Sequence, residues 1–178
     1  MIDRQRLSSV AHSHHPIAAP VSGVSVNRIL RRADRRPAAR ILDLGCGEAA
    51  WALQALTHYP DGHADGILLA GEGFWQVPPT PAALAALDAV PEDFTDLAGL
   101  VDVAERAGWT PVYAHVSDAA EWDNYEWSWV GSLTEWALDN PGHPDAAAAG
   151  TLAREHREQW LRGYRGVLGF VTLVLRRM

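Results

Sequence analysis

An α/β layered domain is the fold class this sequence predicts, and three observations carry the prediction. Apolar runs alternate with segments of helical periodicity along the chain. The run at 39–44 ends in the tight turn Gly45-Cys46-Gly47 and passes straight into a helical pattern. The last run, 167–175, is continuous and β-branched, as befits a strand in the middle of a sheet. The length of 178 residues suits one domain, and 48% hydrophobic content allows it a core. With 21% charged residues, a wholly disordered or collagen-like chain is excluded.

The elements follow in order. The first ten residues read as frayed. Ser25 is placed to cap a helix with Val26, Ile29 and Leu30 on one face, ended by Pro37. After the strand at 39–44 and its glycine turn, residues 48–58 read as a helix, and Pro60-Asp61-Gly62 as a turn. Residues 67–71 form a second apolar run, followed by a loop through Pro78-Pro79-Thr80-Pro81 and an Ala/Leu-rich helix at 82–90. Thr95 is placed to cap the next helix, which carries Leu97, Leu100, Val101 and Ala104 inward and closes at Gly108. Residues 112–116 form a third strand. Asp118 and Glu121 have the spacing of a capping box. The helix behind them carries Trp122, Tyr125, Trp129, Leu133 and Trp136 on one stripe, best read as core packing. Trp127 lies off the stripe and suits a pocket or the surface. Pro144 opens a last helix, reaching about Tyr164, before the fourth strand.

Charge and cysteine content narrow the function classes. The net charge of −7 divides into +6 over residues 1–40 and −13 over the rest. No nucleic-acid motif accompanies the Arg-rich arm, which reads as a solvated helix facing an acidic body, so no nucleic-acid partner is expected. One cysteine excludes an internal disulfide framework and fits a reducing compartment. The longest apolar run is too short for a membrane helix and the N-terminus lacks a secretory segment, so a cytoplasmic protein without a membrane partner is expected. His12, His14 and His15 with Cys46 match no metal-site spacing, and no metal is expected.

The segment with chemical content is 39–48. Glycine permits positive φ and lets a ligand approach the backbone. The helix that follows offers free N–H groups and partial positive charge. Asp43, at the strand end, can orient polar ligand groups or the turn itself. In open α/β sheets, ligands sit outside the carboxyl ends of the strands.

This strand-turn-helix resembles motif I of class I S-adenosylmethionine-dependent methyltransferases, with Asp43, Gly45 and Gly47 on the hydrophobic-x-Asp-x-Gly-x-Gly pattern. A dinucleotide fingerprint would want a further glycine, and position 50 is Ala. The resemblance extends to 68–75 with the Pro-rich loop beyond it, to 121–126, to the final strand, and to His15-Pro16 with 19–22, similar to a cap that closes over the cofactor. It implies S-adenosyl-L-methionine as cofactor, contacted by Asp43, Gly45, Cys46 and Gly47. Substrate contacts are expected of Glu72, Trp75, Tyr125 and Glu126. It implies methyl transfer to a small-molecule acceptor by direct displacement, which needs no fixed catalytic triad, so no catalytic residue is named.

Only residues 48–67 separate motif I from the strand that resembles the family's fifth, and no counterpart of the ribose-binding or adenine-binding acids is found between them. The fold expected is therefore a truncated Rossmann-like methyltransferase sheet of about four strands with flanking helices. It divides into an N-terminal arm and cap helix at 1–36 and a shortened domain at 37–178, made of a motif I unit (37–67) and a C-terminal half (68–178). Missing segments imply weakened cofactor binding, and an unpaired strand edge implies self-association as a homodimer. The alternative is a non-catalytic methyltransferase remnant that binds itself or a partner.

Overall fold

The computed structural model describes residues 4–15, 17–33 and 67–177. The strand at 39–44, the glycine turn and the helix at 48–58 lie outside the described residues.

The described part is a three-stranded sheet with helices around it. Strand β1 is Ile67–Trp75, β2 is Trp109–Val116 and β3 is Leu168–Arg177. The order is β1-β3-β2, and β3 is antiparallel to both neighbours. β1 and β2 therefore run parallel to each other, separated by the last strand of the chain. β3 is buried from Val171 to Leu175, as its continuous apolar sequence predicts. A register shift between Pro111 and Tyr113 accommodates Pro111, which cannot donate to the ladder.

β1 extends beyond the run expected at 67–71. Gly71 and Gly73 contribute no side chains, and phenylalanine rings fill the space instead, Phe170 of the neighbouring strand beside Gly71 and Phe94 of a loop beside Gly73. A Cβ on Gly71 would lie 2.8 Å from the Phe170 ring, and one on Gly169 2.5 Å from the Phe74 ring. Gly71 and Gly169 each make room for an aromatic ring from the opposite strand, and so β1 reaches Trp75.

Among the described residues, six α-helices accompany the sheet. They are α1 (Arg4–Ala11), α2 (Gly23–Ala33), α3 (Pro81–Leu87), α4 (Leu97–Arg106), α5 (Ala119–Asp139) and α6 (Ala146–Gln159). On one face, Val26, Ile29 and Leu30 of α2 pack with Val174, Leu69 and Tyr113. On the other, Leu97, Leu100 and Ala104 of α4 meet Phe74, Val171 and Leu173. Residues 4–11 are helical rather than frayed because Leu7 and Ala11 are buried against Val130 and Leu133 of α5 and Ala149 and Ala153 of α6. Tertiary packing thus stabilises a helix too short to stand alone.

Two caps differ from expectation. The Ser22 hydroxyl, not Ser25, serves the start of α2, accepting from Ser25 N–H at 3.1 Å, and Ser25 is buried. Asp96, not Thr95, caps α4, accepting from Gly99 N–H at 2.8 Å. The capping box of Asp118 and Glu121 is present on α5. Gly108 takes a φ of +82° after α4, a turn geometry suited to glycine. The last helix starts at Ala146 rather than Pro144, and at Trp160–Tyr164 it widens into a π turn closed by Arg165 N–H on Trp160 O at 3.0 Å.

Two glycines should respond in opposite directions. Gly169→Ala drives a methyl into the Phe74 ring and should destabilise by about 1–3 kcal/mol. Gly131→Ala, inside α5 with nothing within 4 Å of the new Cβ, should stabilise by about 0.5–1 kcal/mol. Urea unfolding of the two variants beside the parent measures both signs.

Candidate functional site

The direction of β3 determines where the loops meet. Because it runs opposite to β1 and β2, its first residues lie beside their carboxyl ends. Gln76 N–H donates to Val167 O and Ser117 N–H to Phe170 O, both at 2.9 Å. The loop after β1, the loop after β2 and the π turn before β3 are thereby drawn to one edge of the sheet. A cavity of about 420 Å³ opens there, walled by Gln76, Ser117, Trp122, Trp160, Tyr164 and Leu168, with Asp118, Asp123 and Arg165 contributing charge. This is the edge at which open α/β sheets take ligands.

The charged groups in this wall are matched. Asp118 accepts from Glu121 N–H at 2.9 Å as the cap of α5. Arg165 makes two hydrogen bonds to Asp123, at 2.9 and 2.7 Å. The Arg165 hydrogen bond, helped by its charge, lowers the Asp123 carboxyl below its usual range against a smaller opposing effect of burial.

Beside the cavity stands Glu121, whose side chain is only 10% exposed. Ser22 N–H donates to Oε1 at 2.8 Å and His115 Nε2–H to Oε2 at 2.7 Å. Burial alone would raise the pKa of Glu121. Hydrogen bonds from Ser25, from the Ser22 backbone and hydroxyl, and from His115 outweigh it and hold the value at about 2. Glu121 therefore ties the N-terminal segment and β2 to the start of α5 as a carboxylate.

The expected site residues are distributed as follows. Asp43, Gly45, Cys46 and Gly47 lie outside the described residues. Glu72 is exposed on β1, its Oε1 accepting from Gly73 N–H at 3.0 Å. Trp75 is buried, donates its indole N–H to Pro91 O at 2.8 Å and packs edge-on against Phe94. Tyr125 meets the His15 ring edge-on at 5.3 Å. Burial, with the neighbouring charge of Glu126, pushes its hydroxyl up to about 12. Glu126 is 2% exposed and accepts from Tyr164 O–H at 2.7 Å and His156 Nε2–H at 2.6 Å. Burial first, then the Glu126 carboxylate, raises the Tyr164 pKa strongly. Tyr125 and Glu126 are adjacent on α5, and none of the four described residues lines the cavity.

Neighbours of these residues line it instead: Gln76 follows Trp75, and Trp122 lies one turn before Glu126. Ser117, His115, His156 and Tyr164 were not singled out from the sequence. Ser117 carried a signal, being the residue between a predicted strand and a predicted cap. The meeting of His156 and Tyr164 with Glu126 joins residues far apart in sequence, and no local pattern reports it. Of the tryptophan stripe, Trp129 and Trp136 pack in the α1–α5–α6 cluster and Trp122 in a second cluster with Trp160 and Tyr164. Trp127 is 50% exposed, with its ring edge-on to Trp160. Asp123 pairs with an arginine, whereas Glu121 and Glu126 take histidine and hydroxyl or backbone partners. Among the described residues, no group of three or more His, Cys, Asp or Glu side chains is placed to hold a metal ion. No described helix is long and apolar enough to cross a membrane.

No protein-family model and no curated protein matches the sequence. Solved structures do match in fold. One is a SAM-dependent methyltransferase from Thiobacillus denitrificans in complex with S-adenosyl-L-homocysteine, with a TM-score of 0.80 at 20% identity, covering 99% of this chain and 100% of that one. A second is a SAM-dependent methyltransferase from Geobacter sulfurreducens, also in complex with S-adenosyl-L-homocysteine, with a TM-score of 0.82 at 20% identity over 100% of both chains. A third is YjhP from E. coli, with a TM-score of 0.77 at 22% identity, covering 97% of this chain and 99% of that one. The fold of this chain is a methyltransferase fold, and the likeness runs from end to end.

The Glu121 tie makes stability depend on pH. A carboxyl whose folded pKa lies below its ordinary 4.5 adds stability above pH 4.5, and that contribution is lost as pH falls toward about 2. Unfolding free energy measured across this window should fall more steeply for the parent than for Glu121→Gln, and the two slopes should coincide above it.

Proposed function

We propose that this chain is an S-adenosylmethionine-dependent methyltransferase acting on a small molecule, with its cofactor held at the turn 43–47 and its acceptor at the carboxyl edge of the sheet. The observation that carries the reading is a conjunction. The chain shares its fold end to end with two methyltransferases that carry S-adenosyl-L-homocysteine, and its sequence places Asp43, Gly45 and Gly47 on the family's cofactor pattern. The described residues fit such chemistry. Their cavity lies at the ligand-binding edge of an α/β sheet, and its charged groups are already matched, as suits a reaction driven by orientation.

When bound, S-adenosylmethionine supplies a sulfonium methyl that an acceptor oxygen, nitrogen or carbon displaces directly, without a covalent bond to the protein. The work of this chain is therefore binding and alignment. Asp43, Gly45, Cys46 and Gly47 would hold the amino-acid end of the cofactor, the glycines leaving room for it to approach the backbone. Glu121 holds the segment 17–22 onto the start of α5 and so fixes one border of the site. Trp75, bonded to Pro91 O, fixes the start of the loop that carries Gln76. Tyr164 and His156, bonded to Glu126, clamp the π turn to α5 and hold the aromatic wall in place.

The reading is tested at Gly45. A calorimetric titration should show one molecule of S-adenosyl-L-homocysteine bound per chain, and Gly45→Arg should weaken binding by roughly a hundredfold or more because the side chain occupies the ligand's place. No binding to the parent, or equal binding to the variant, would contradict it.

A further inference from the structure

We propose that the cavity at the carboxyl edge takes an uncharged, planar aromatic acceptor whose hydroxyl or carbonyl oxygen meets Ser117 and Trp122; this rests on the methyltransferase reading for its role as methyl acceptor. Four buried side-chain polar atoms among the described residues have no hydrogen-bond partner, and three belong to this cavity's wall: Ser117 Oγ, Trp122 Nε1 and Trp160 Nε1. Ser117 is 4% exposed and Trp160 1%. A buried donor left unpaired is costly, so three gathered at one cavity constitute a built preference for a partner.

The chemistry of that partner follows from the wall. An indole N–H can only donate, so it requires an acceptor atom, and the serine hydroxyl can serve the same oxygen. Rings supply much of the remaining surface. Trp122 and Tyr164 stand edge to face with centroids 6.3 Å apart, and Trp160 lies beside them in the same packed cluster. Such walls favour a flat aromatic guest. Charge decides the rest. Asp118 is used by the helix cap and Asp123 by Arg165, so neither an ammonium nor a phosphate finds an unmatched counter-ion here. A volume of about 420 Å³ lies within the range of small-molecule sites. The guest reaches the orphan atoms by small rotations of Ser117 and Trp122, and these rotations relieve the unpaired donors.

The test uses full-length protein labelled with ¹⁵N-tryptophan and titrated with 2-naphthol, an uncharged hydroxyaromatic. The indole N–H signals of Trp122 and Trp160, assigned with Trp122→Phe and Trp160→Phe, should shift and saturate. 2-Methylnaphthalene, lacking the oxygen, should bind up to tenfold more weakly, as should 2-naphthoate and 2-naphthylmethylammonium. Ser117→Ala should weaken 2-naphthol several-fold while leaving the fold and the affinity for S-adenosyl-L-homocysteine unchanged, because the Ser117 hydroxyl has no partner to lose. Should 2-naphthol move neither indole signal while S-adenosyl-L-homocysteine binds, the acceptor assignment is overturned and the methyltransferase reading stands. Should 2-naphthol bind as described while S-adenosyl-L-homocysteine does not, the aromatic site stands and its role in methyl transfer falls. Tighter binding of either charged naphthalene overturns the uncharged class.

Discussion

The sheet depends on its final strand. β3 is hydrogen-bonded along both edges, to β1 on one side and β2 on the other, and among the described residues these two have no other strand partner. Its side chains alternate between the two faces: Val174 joins the α2 layer, while Val171, Leu173 and Leu175 join the α4 layer. One strand thus links both layers of the core and supplies the ladder bonds of both neighbours. Its reversed direction has a functional result, because the approach to β3 and the exits of β1 and β2 fall at the same edge. The cavity there is a consequence of topology before it is a consequence of any particular side chain.

Around that edge the sequence spends its polar residues on fixing loops. Glu121 joins three elements as a carboxylate, and Glu126 joins α5 to α6 and the π turn. Both acids are satisfied by hydrogen bonds, and both stand one layer back from the cavity. The wall itself is aromatic and carries matched charge. An enzyme that acts by orienting two reactants needs such a rigid border more than it needs a reactive side chain.

Much of this was legible along the chain, for reasons that differ between elements. The central placement of β3 follows from an uninterrupted β-branched run, and the start of α5 from Asp118 and Glu121. The tryptophan repeat of α5 reported its packed face because helical periodicity is a local property. The helix at 4–11 was not legible, since its stability comes from α5 and α6 and not from its own residues. Nor was the length of β1: glycines weaken a strand in isolation, and here Phe170 and Phe94 fill the places beside Gly71 and Gly73. The widening at Trp160–Tyr164 brings Gly163 against Ala86 of α3, where a Cβ would meet the Ala86 methyl at 2.3 Å, a contact invisible before the two elements are packed. For the site the contrast is sharper. The resemblance implied substrate contacts at Trp75 and Glu126, yet neither lines the cavity and their polar atoms are engaged within the protein, while the wall residues Ser117, Trp122 and Trp160 each carry a buried polar atom without a hydrogen-bond partner.

The central proposal is that this chain takes S-adenosylmethionine at the turn 43–47 and an acceptor in the cavity at the carboxyl edge of the sheet. Hydrogen–deuterium exchange of the full chain, with and without saturating S-adenosyl-L-homocysteine, examines it directly. The account predicts slowed exchange of the backbone amides at 43–50, with those at 117–123 little changed until an acceptor is added. Unchanged exchange at 43–50, or protection confined to residues 67–177, would contradict it.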